Sequence, residues 1–267
     1  MLMKKLWAIY KATITESVNR RGEMLVYVLQ DFIGPLLSIL LWIGIVNYSG
    51  SIQAGWGIDK IVSYFMITTL LTLAVNHYTD TLVGYEHIAQ GEIAGLLLKP
   101  VPYHLYVFST ESGWKTVRLL VSLIPLGFLL FIFKDFLRLN FSALQIIAAV
   151  FFSILAYLII FFFKFIIGMS AFWVTANDGI VHTSWAFQSI FSGRLIPFNF
   201  LPPIMQNLSL WLPFRFFFYM PANVLISELP IGILIKEAGI GILWLTVLII
   251  INRWMFNNGL KRLTDTK

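Results

Sequence analysis

Long apolar runs, separated by short polar stretches, dominate the chain between residues 24 and 252. Runs of about eighteen or more apolar residues are typical of helices that cross a membrane, whose hydrocarbon core is ~30 Å thick. Segments of a transmembrane β-barrel would alternate apolar and polar residues, and these runs do not. The pattern therefore predicts an all-α, polytopic membrane protein, with a single transmembrane domain over residues 1–267. Six spans are predicted, at residues 24–46, 61–83, 114–133, 144–174, 179–196 and 231–252.

Three segments depart from the simple pattern of one apolar run per span. The run at 144–174 is longer than an upright crossing requires, so it is expected to tilt or to project from the membrane. The run at 179–196 is the weakest, since it contains polar residues such as His182 and Gln188. Residues 198–229 are apolar but broken by prolines, which favours short helices that re-enter the outer leaflet.

Composition supports a membrane protein. Only 12% of the 267 residues are charged and the mean hydropathy is +0.82, whereas a soluble domain uses about 25% charged residues. The chain has no cysteine, which rules out disulfides, thiol nucleophiles and cysteine metal sites. We attribute the net charge of +6 to lysines and arginines that mark the cytoplasmic face, and not to nucleic-acid binding.

The distribution of basic residues predicts the orientation. Residues 1–22 are basic, and their apolar residues recur every four positions. They are predicted to form a helix in the inner interface of the membrane, with lysines toward anionic lipid headgroups. Six spans then place both termini in the cytoplasm. Lys99, Lys115 and Arg118 fall on the same side, and the basic residues favour that side about twofold.

The sequence motifs of several enzyme classes are missing. The chain has no GxxxxGK[ST] phosphate loop, no HExxH zinc motif and no GxSxG nucleophile elbow. Its four histidines show no spacing typical of metal ligands. We therefore expect no catalysis by this chain, and neither a metal nor a cofactor bound to it.

Several polar residues nevertheless fall inside or beside the predicted spans. Each is a candidate for a translocation path, because an ionisable group inside a membrane costs about 2.5–3.5 kcal/mol on insertion scales. His77 and Asp80 either form a proton relay or are hydrogen-bonded inside the bundle, and we favour the second. Lys164 is expected to extend to the inner interface. Arg194 and Arg215 face either a substrate path or lipid headgroups. The candidates are Asp31, Asn76, His77, Asp80, Lys164, Arg194 and Arg215.

The stretch GEIAGLLLKPVPYHLYVFST, from Gly91, joins the second predicted span to the third on the cytoplasmic side. Apolar residues recur at helical spacing before and within it. A short amphipathic helix is predicted over residues 86–98, ending before Pro100, which disfavours a helical residue ahead of it. This helix is either a simple interfacial turn or a lever that docks a cytoplasmic partner. The apolar positions are Ala89, Ile93, Leu96 and Leu97.

Four stretches occur in a characteristic order along the chain. They are GEIAGLLLKPVPYHLYVF, FWVTANDG, SGRLIPFNFLPP and LWLPFRFFFYMPANVL. In this order the sequence resembles the membrane subunit of type-2 ATP-binding-cassette exporters, in the branch of short bacterial permeases similar to daunorubicin-resistance transporters. The resemblance implies six spans in a bacterial inner membrane, cytoplasmic termini, an interfacial N-terminal helix and outer re-entrant helices.

The resemblance also implies partners. The helix at 86–98 would be a coupling helix, received by a separate nucleotide-binding ATPase that binds ATP and Mg²⁺. A second permease chain, identical or different, would complete the transporter within the lipid membrane. The residues then expected to contact the ATPase are Glu86, His87, Gln90, Gly91, Glu92, Gly95, Leu96, Lys99 and Pro100.

Two other functions stay open at this point. An ion-coupled secondary carrier would use the intramembrane histidine, aspartate and lysine residues and would work without an ATPase. A non-transporting membrane assembly subunit would tolerate changes in the predicted coupling helix. For either transporter, the phenylalanine-rich outer region favours a hydrophobic or amphipathic cargo.

Overall fold

The computed structural model describes residues 1–49, 56–137, 140–174 and 177–265, and within this part of the chain every regular element is a helix. Two residues of the FWVTANDG stretch, at 175 and 176, lie outside it. The α-helices are α1 (Leu2–Asn19), α2 (Arg21–Ser49), α3 (Ile58–Val75), α4 (Thr79–Thr81), α5 (Ile93–Leu97), α6 (Tyr103–Ile132), α7 (Ala143–Met169), α8 (Asp178–Phe191), α9 (Pro203–Leu210), α10 (Tyr219–Ile226) and α11 (Ile231–Asp265). A π-helix covers Leu82–Ala89, and 3-10 helices cover Lys134–Phe136, Ser170–Phe172, Phe198–Phe200 and Pro213–Phe216.

Five stretches of the described chain are long and apolar enough to cross a membrane, which confirms a polytopic α-helical membrane protein. The predicted fifth span, 179–196, corresponds to α8. Its 14 residues extend about 21 Å, less than the ~30 Å of a hydrocarbon core. The count of six spans therefore stays a prediction. The five stretches are Met24–Tyr48, Ile58–Ala89, Tyr103–Ile132, Ala143–Phe172 and Ile231–Leu263.

The second of these stretches is interrupted. Helix α3 ends at Val75, and Asn76 has an extended backbone with φ −72° and ψ 142°. The chain then resumes as α4 and the π-helix Leu82–Ala89. Backbone groups freed inside a membrane need other partners, and two side chains supply them. Lys164 donates a hydrogen bond to the carbonyl of His77, and Glu111 accepts one from the backbone N–H of Tyr78 at 3.2 Å.

The prediction of one continuous helix over residues 86–98 is wrong. The π-helix ends at Ala89, and Gly91 has a φ of +79°. This left-handed conformation, which glycine adopts without a steric penalty, redirects the chain before α5 begins at Ile93. The apolar spacing that suggested a single helix comes from two short helices on either side of a turn.

Helix α1 and several chain segments meet at one end of the bundle, which we call the basal end. Here Lys5 Nζ donates to the carbonyl of Pro100 at 3.3 Å, and His104 Nε2 lies 2.6 Å from Asn252 Oδ1. Helix α1 continues from there along α6, where Tyr10 and Thr116 are joined by a 2.9 Å hydrogen bond. The basal end thus combines α1, α5, the start of α6 and the late turns of α11.

The core is centred on α3 and α7, which pack against the segment between α8 and α11. Ile159 and Ile160 of α7 are fully buried, as is Phe217 just before α10. Residues 198–229 contain short helices only, and they cover the core near the end opposite to the basal end. Their depth in a membrane stays a prediction.

Candidate functional site

A network of charged and aromatic side chains lies inside the bundle, around the break that follows α3. Helices α2, α4, α6, α7 and α8 all contribute to it. We call this set the polar network. Its members are Asp31, His77, Tyr78, Asp80, Glu111, Lys115, Arg118, Tyr157, Lys164 and Trp185.

The first ion pair of the polar network joins α2 to α6. Arg118 donates from Nε and Nη2 to the two carboxylate oxygens of Asp31, at 3.0 and 2.6 Å. Its Nη1 donates to the Tyr78 hydroxyl at 2.6 Å, and the Ser122 hydroxyl donates to Asp31 at 2.8 Å. The pair is bidentate and nearly enclosed, with side chains 7% and 16% exposed. It fixes α2, α6 and the break in one arrangement.

The second ion pair joins α7 to α4. Lys164 Nζ lies 3.7 Å from Asp80 Oδ2, and these side chains are 3% and 0% exposed. The indole N–H of Trp185 donates to the same carboxylate at 2.5 Å. The prediction that Lys164 extends to the membrane interface is therefore wrong, because its carboxylate partner and the carbonyl of His77 both lie inside the bundle.

A histidine and a third carboxylate lie beside these pairs. His77 Nδ1 is 3.5 Å from Glu111 Oε2, which is an electrostatic contact and not a hydrogen bond. The imidazole packs edge-on against Tyr157, with ring centres 4.3 Å apart, and Lys115 Nζ lies 4.3 Å from the same ring centre. As favoured from the sequence, His77 and Asp80 are both buried inside the bundle, and Asp80 is hydrogen-bonded there. The predicted hydrogen bonding is wrong for His77, since neither of its ring nitrogens has a hydrogen-bond partner among the described residues. The described residues contain no group of three or more His, Asp or Glu side chains able to hold a metal ion.

Sequence reasoning missed the contribution of α6. Lys115 and Arg118 are counted from the sequence among the cytoplasmic basic residues and Glu111 receives no role, yet all three lie within α6 and face the bundle. A signal was present, because positions i, i+4 and i+7 share one face of a helix. Three charged residues at that spacing indicate a polar face that must meet other charges.

The remaining candidates lie apart from this centre. Asn76 is half-buried at the end of α3. Arg215 is buried, and its guanidinium bonds Glu237 of α11 at 3.1 and 2.9 Å; its place in a translocation path stays a prediction. Arg194 is exposed in the loop after α8. It is close enough to Arg118 and Asp31 to interact with both electrostatically.

The predicted coupling residues occupy an exposed turn at the basal end, which we call the basal stretch (residues 86–100). Two of the nine are buried. His87 Nδ1 lies 2.8 Å from the Tyr103 hydroxyl, and Leu96 is 8% exposed. Leu98, not among the nine, is 87% exposed. The exposed candidates are Glu86, Gln90, Gly91, Glu92, Gly95, Lys99 and Pro100.

Comparison with known families agrees with this architecture. The sequence model described as ABC-2 family transporter protein matches residues 32–266, which is most of the chain. No curated protein matches the sequence. The match includes the basal stretch and every charged residue of the polar network except Asp31. The chain therefore belongs to the ABC-2 family of transporters, as a multi-pass membrane permease.

Proposed function

We propose that the chain is the permease subunit of an ATP-driven exporter, in the short bacterial branch similar to daunorubicin-resistance transporters. It lies in the bacterial inner membrane with both termini in the cytoplasm. With a second permease chain it encloses the translocation path, and a separate ATPase that binds ATP and Mg²⁺ drives it. Membership of the ABC-2 family supports this proposal.

The observation that carries the proposal is the way in which the basal stretch is held. Its outer face is exposed, with Leu98 at 87%, whereas Ile93 and Leu96 are buried at 2% and 8%. These two belong to an apolar cluster that includes Tyr103 of α6 and Phe165 of α7. Close-packed interiors transmit displacement, so a partner that moves the turn also moves the helices that hold the polar network.

ATP then acts by shifting the equilibrium between two arrangements of the permease pair. A nucleotide-bound ATPase that binds one arrangement of the two basal stretches more tightly favours the matching arrangement of the two permeases. The size of the shift is limited by that difference in affinity. The exposed residues of the basal stretch include two carboxylates, Glu86 and Glu92, and the apolar Leu98. A complementary ATPase groove has basic residues around an apolar pocket.

Affinity purification from native membranes tests this assignment. The test variant combines Glu92→Lys with Leu98→Asp, which changes two exposed side chains. The control is Glu228→Lys, which makes the same charge reversal in an exposed residue near the opposite end of the bundle. We expect an ATPase with ATP-hydrolysing activity to co-purify with the wild type and the control, but not with the test variant.

Two results would contradict the proposal. In one, no ATPase co-purifies with the wild type. In the other, the double variant retains the ATPase and its activity, which would agree with a non-transporting assembly subunit. Size-exclusion profiles of all three proteins show whether loss of the ATPase reflects loss of folding.

The polar network favours one alternative, an ion-coupled carrier. Asp80, Lys164, Glu111 and His77 are enclosed together beside a helix break, and intramembrane groups of this kind occur in proton relays. Such a carrier moves protons without an ATPase. The isolated chain in liposomes that contain a pH-sensitive dye distinguishes the two. Proton flux that is lost in Asp80→Asn would favour the carrier, and the absence of flux favours the ATP-driven permease.

A further inference from the structure

The loop after α8 is anchored to the interior of the bundle through two of its backbone carbonyls. The Tyr64 hydroxyl donates to the carbonyl of Gly193 at 2.6 Å, and the Trp42 indole donates to the carbonyl of Leu195 at 3.2 Å. Tyr64 follows the first residue of α3 by six positions, and Trp42 precedes the end of the α2 span at Tyr48 by six. At 1.5 Å per residue, both bonds hold the loop about 9 Å inside the ends of these helices.

Arg194 lies between those two bonded carbonyls. Its side chain is exposed, yet it is close enough to Tyr78, Arg118 and Asp31 to interact with all three. The guanidinium is therefore at membrane depth, on a protomer surface next to the polar network. An uncompensated charge at that depth is unfavourable, so a neighbouring group of opposite charge is expected.

The polar network does not supply that group. Asp31 is engaged by Arg118 and Asp80 by Lys164. Glu111 accepts from a backbone N–H and lies on the same face of α6 as Lys115, with which it interacts. These three carboxylates thus already have three cations. Within the described residues Arg194 forms no salt bridge, and the carboxylate with which it interacts, Asp31, is already bonded directly by Arg118.

We propose that Arg194 binds the anionic group, a phosphate or a carboxylate, of an amphipathic molecule. A guanidinium presents a planar set of N–H donors that matches the oxygens of either group. The Tyr78 hydroxyl, which interacts with Arg194 and accepts from Arg118, retains a hydrogen of its own that it can donate. The nitrogens of Arg118 are already bonded. That the molecule is cargo rests on the proposed function, whereas a lipid headgroup offers the same chemistry.

Binding of a fluorescent probe tests the site. The full chain is placed in nanodiscs of phosphatidylcholine, and 11-(dansylamino)undecanoic acid is compared with its uncharged methyl ester. We expect the wild type to bind the acid more tightly than the ester. Arg194→Gln should weaken binding of the acid about tenfold or more, the range for a charge-assisted hydrogen bond. Binding of the ester should not change.

Two further variants make this result specific. Arg194→Lys keeps the charge and should retain part of the affinity for the acid. Arg253→Gln removes an exposed cation from α11, outside the polar network, and should bind the acid as the wild type does. Equal binding of acid and ester by the wild type would overturn the proposal, as would unchanged binding of the acid by Arg194→Gln.

A second lipid composition identifies the source of the anion. If it is a lipid headgroup, phosphatidylglycerol in the nanodisc displaces the acid, and native mass spectrometry finds this lipid on the wild type but not on Arg194→Gln. If it is cargo, phosphatidylglycerol does not compete, and the acid stimulates ATP hydrolysis by the complete transporter. Failure of an ATPase to co-purify would overturn the proposed function alone, since probe binding requires no ATPase.

Discussion

Removing either member of the Asp31–Arg118 pair is predicted to destabilise the protein strongly, because the other member is left as a buried charge without its partner. In Asp31→Ala, the guanidinium keeps the Tyr78 hydroxyl as a hydrogen-bond partner and the rings of Tyr27 and Tyr78, whose centres lie 4.9 and 5.2 Å away, but no carboxylate bonded to it. In Arg118→Ala, the carboxylate keeps the Ser122 hydroxyl. A charge left without its partner in a buried site costs about 3–5 kcal/mol. Because the side chains are 7% and 16% exposed, we expect the lower end of this range, about 3 kcal/mol, for each single variant.

The double variant Asp31→Ala, Arg118→Ala leaves no stranded charge. Its loss should therefore fall short of the sum of the single losses by about 2 kcal/mol or more. The exposed pair Glu16–Arg20 is the matched control, since its 2.7 Å separation is almost the same but its side chains are 53% and 49% exposed. A surface pair at i, i+4 has a coupling energy of about 0.3–0.5 kcal/mol. The two cycles thus compare a buried, bidentate pair between helices with an exposed pair within one helix.

Unfolding by sodium dodecyl sulfate in mixed micelles, followed by the fluorescence of the nine tryptophans, gives the free energies for both cycles. Polar contacts in a bacterial membrane protein average about 0.6 kcal/mol in such cycles. A coupling energy at or below that value for Asp31–Arg118 would refute the reasoning, because the pair would then act as an ordinary polar contact. Equal coupling in the buried and exposed pairs would refute it too.

Three other changes have definite expected outcomes. Gly91 and Gly193 have φ values of +79° and +81°, so alanine at either should cost about 1 kcal/mol in unfolding free energy. Gly193→Ala should cost more, because its Cβ would lie 2.6 Å from the Tyr64 hydroxyl, and equal losses in the same titration would contradict this. Tyr64→Phe removes the buried bond to Gly193 and should cost about 1 kcal/mol, so unchanged stability would argue against the bond. Leu96→Asp should reduce the yield of folded protein by burying a carboxylate, whereas Leu98→Asp should leave the size-exclusion profile unchanged and weaken ATPase binding. The opposite order would contradict the anchoring of the basal stretch.

The helices could be predicted from the sequence wherever an apolar run is continuous. The run at 144–174 became α7 and the following 3-10 helix, within one or two residues at either end. The third span was placed eleven residues late because the polar start of α6 resembles a loop. Those polar side chains face α1 and the bundle interior, and the local sequence does not reveal which of its neighbours covers them.

The candidate site was predictable only in part, for a related reason. The cost of an intramembrane charge identified Asp31, Asp80 and Lys164 without any structure. Their partners depend on contacts between distant segments, such as the 87 residues that separate Asp31 from Arg118. The turn at Gly91 was missed because helical spacing of apolar residues does not report a single left-handed residue between two short helices.

The charged side chains inside the bundle have different structural roles. Lys164 and Glu111 bind the backbone groups freed where α3 ends, so they hold the break. Asp31 and Arg118 cross-link α2 to α6. A membrane protein retains such costly groups when they form hydrogen bonds with free backbone groups or neutralise one another. Arg194 does neither among the described residues, although hydrogen bonds to the backbone on either side of it anchor its loop to the bundle. A fixed cation with no structural partner is the arrangement expected of a residue kept for a ligand.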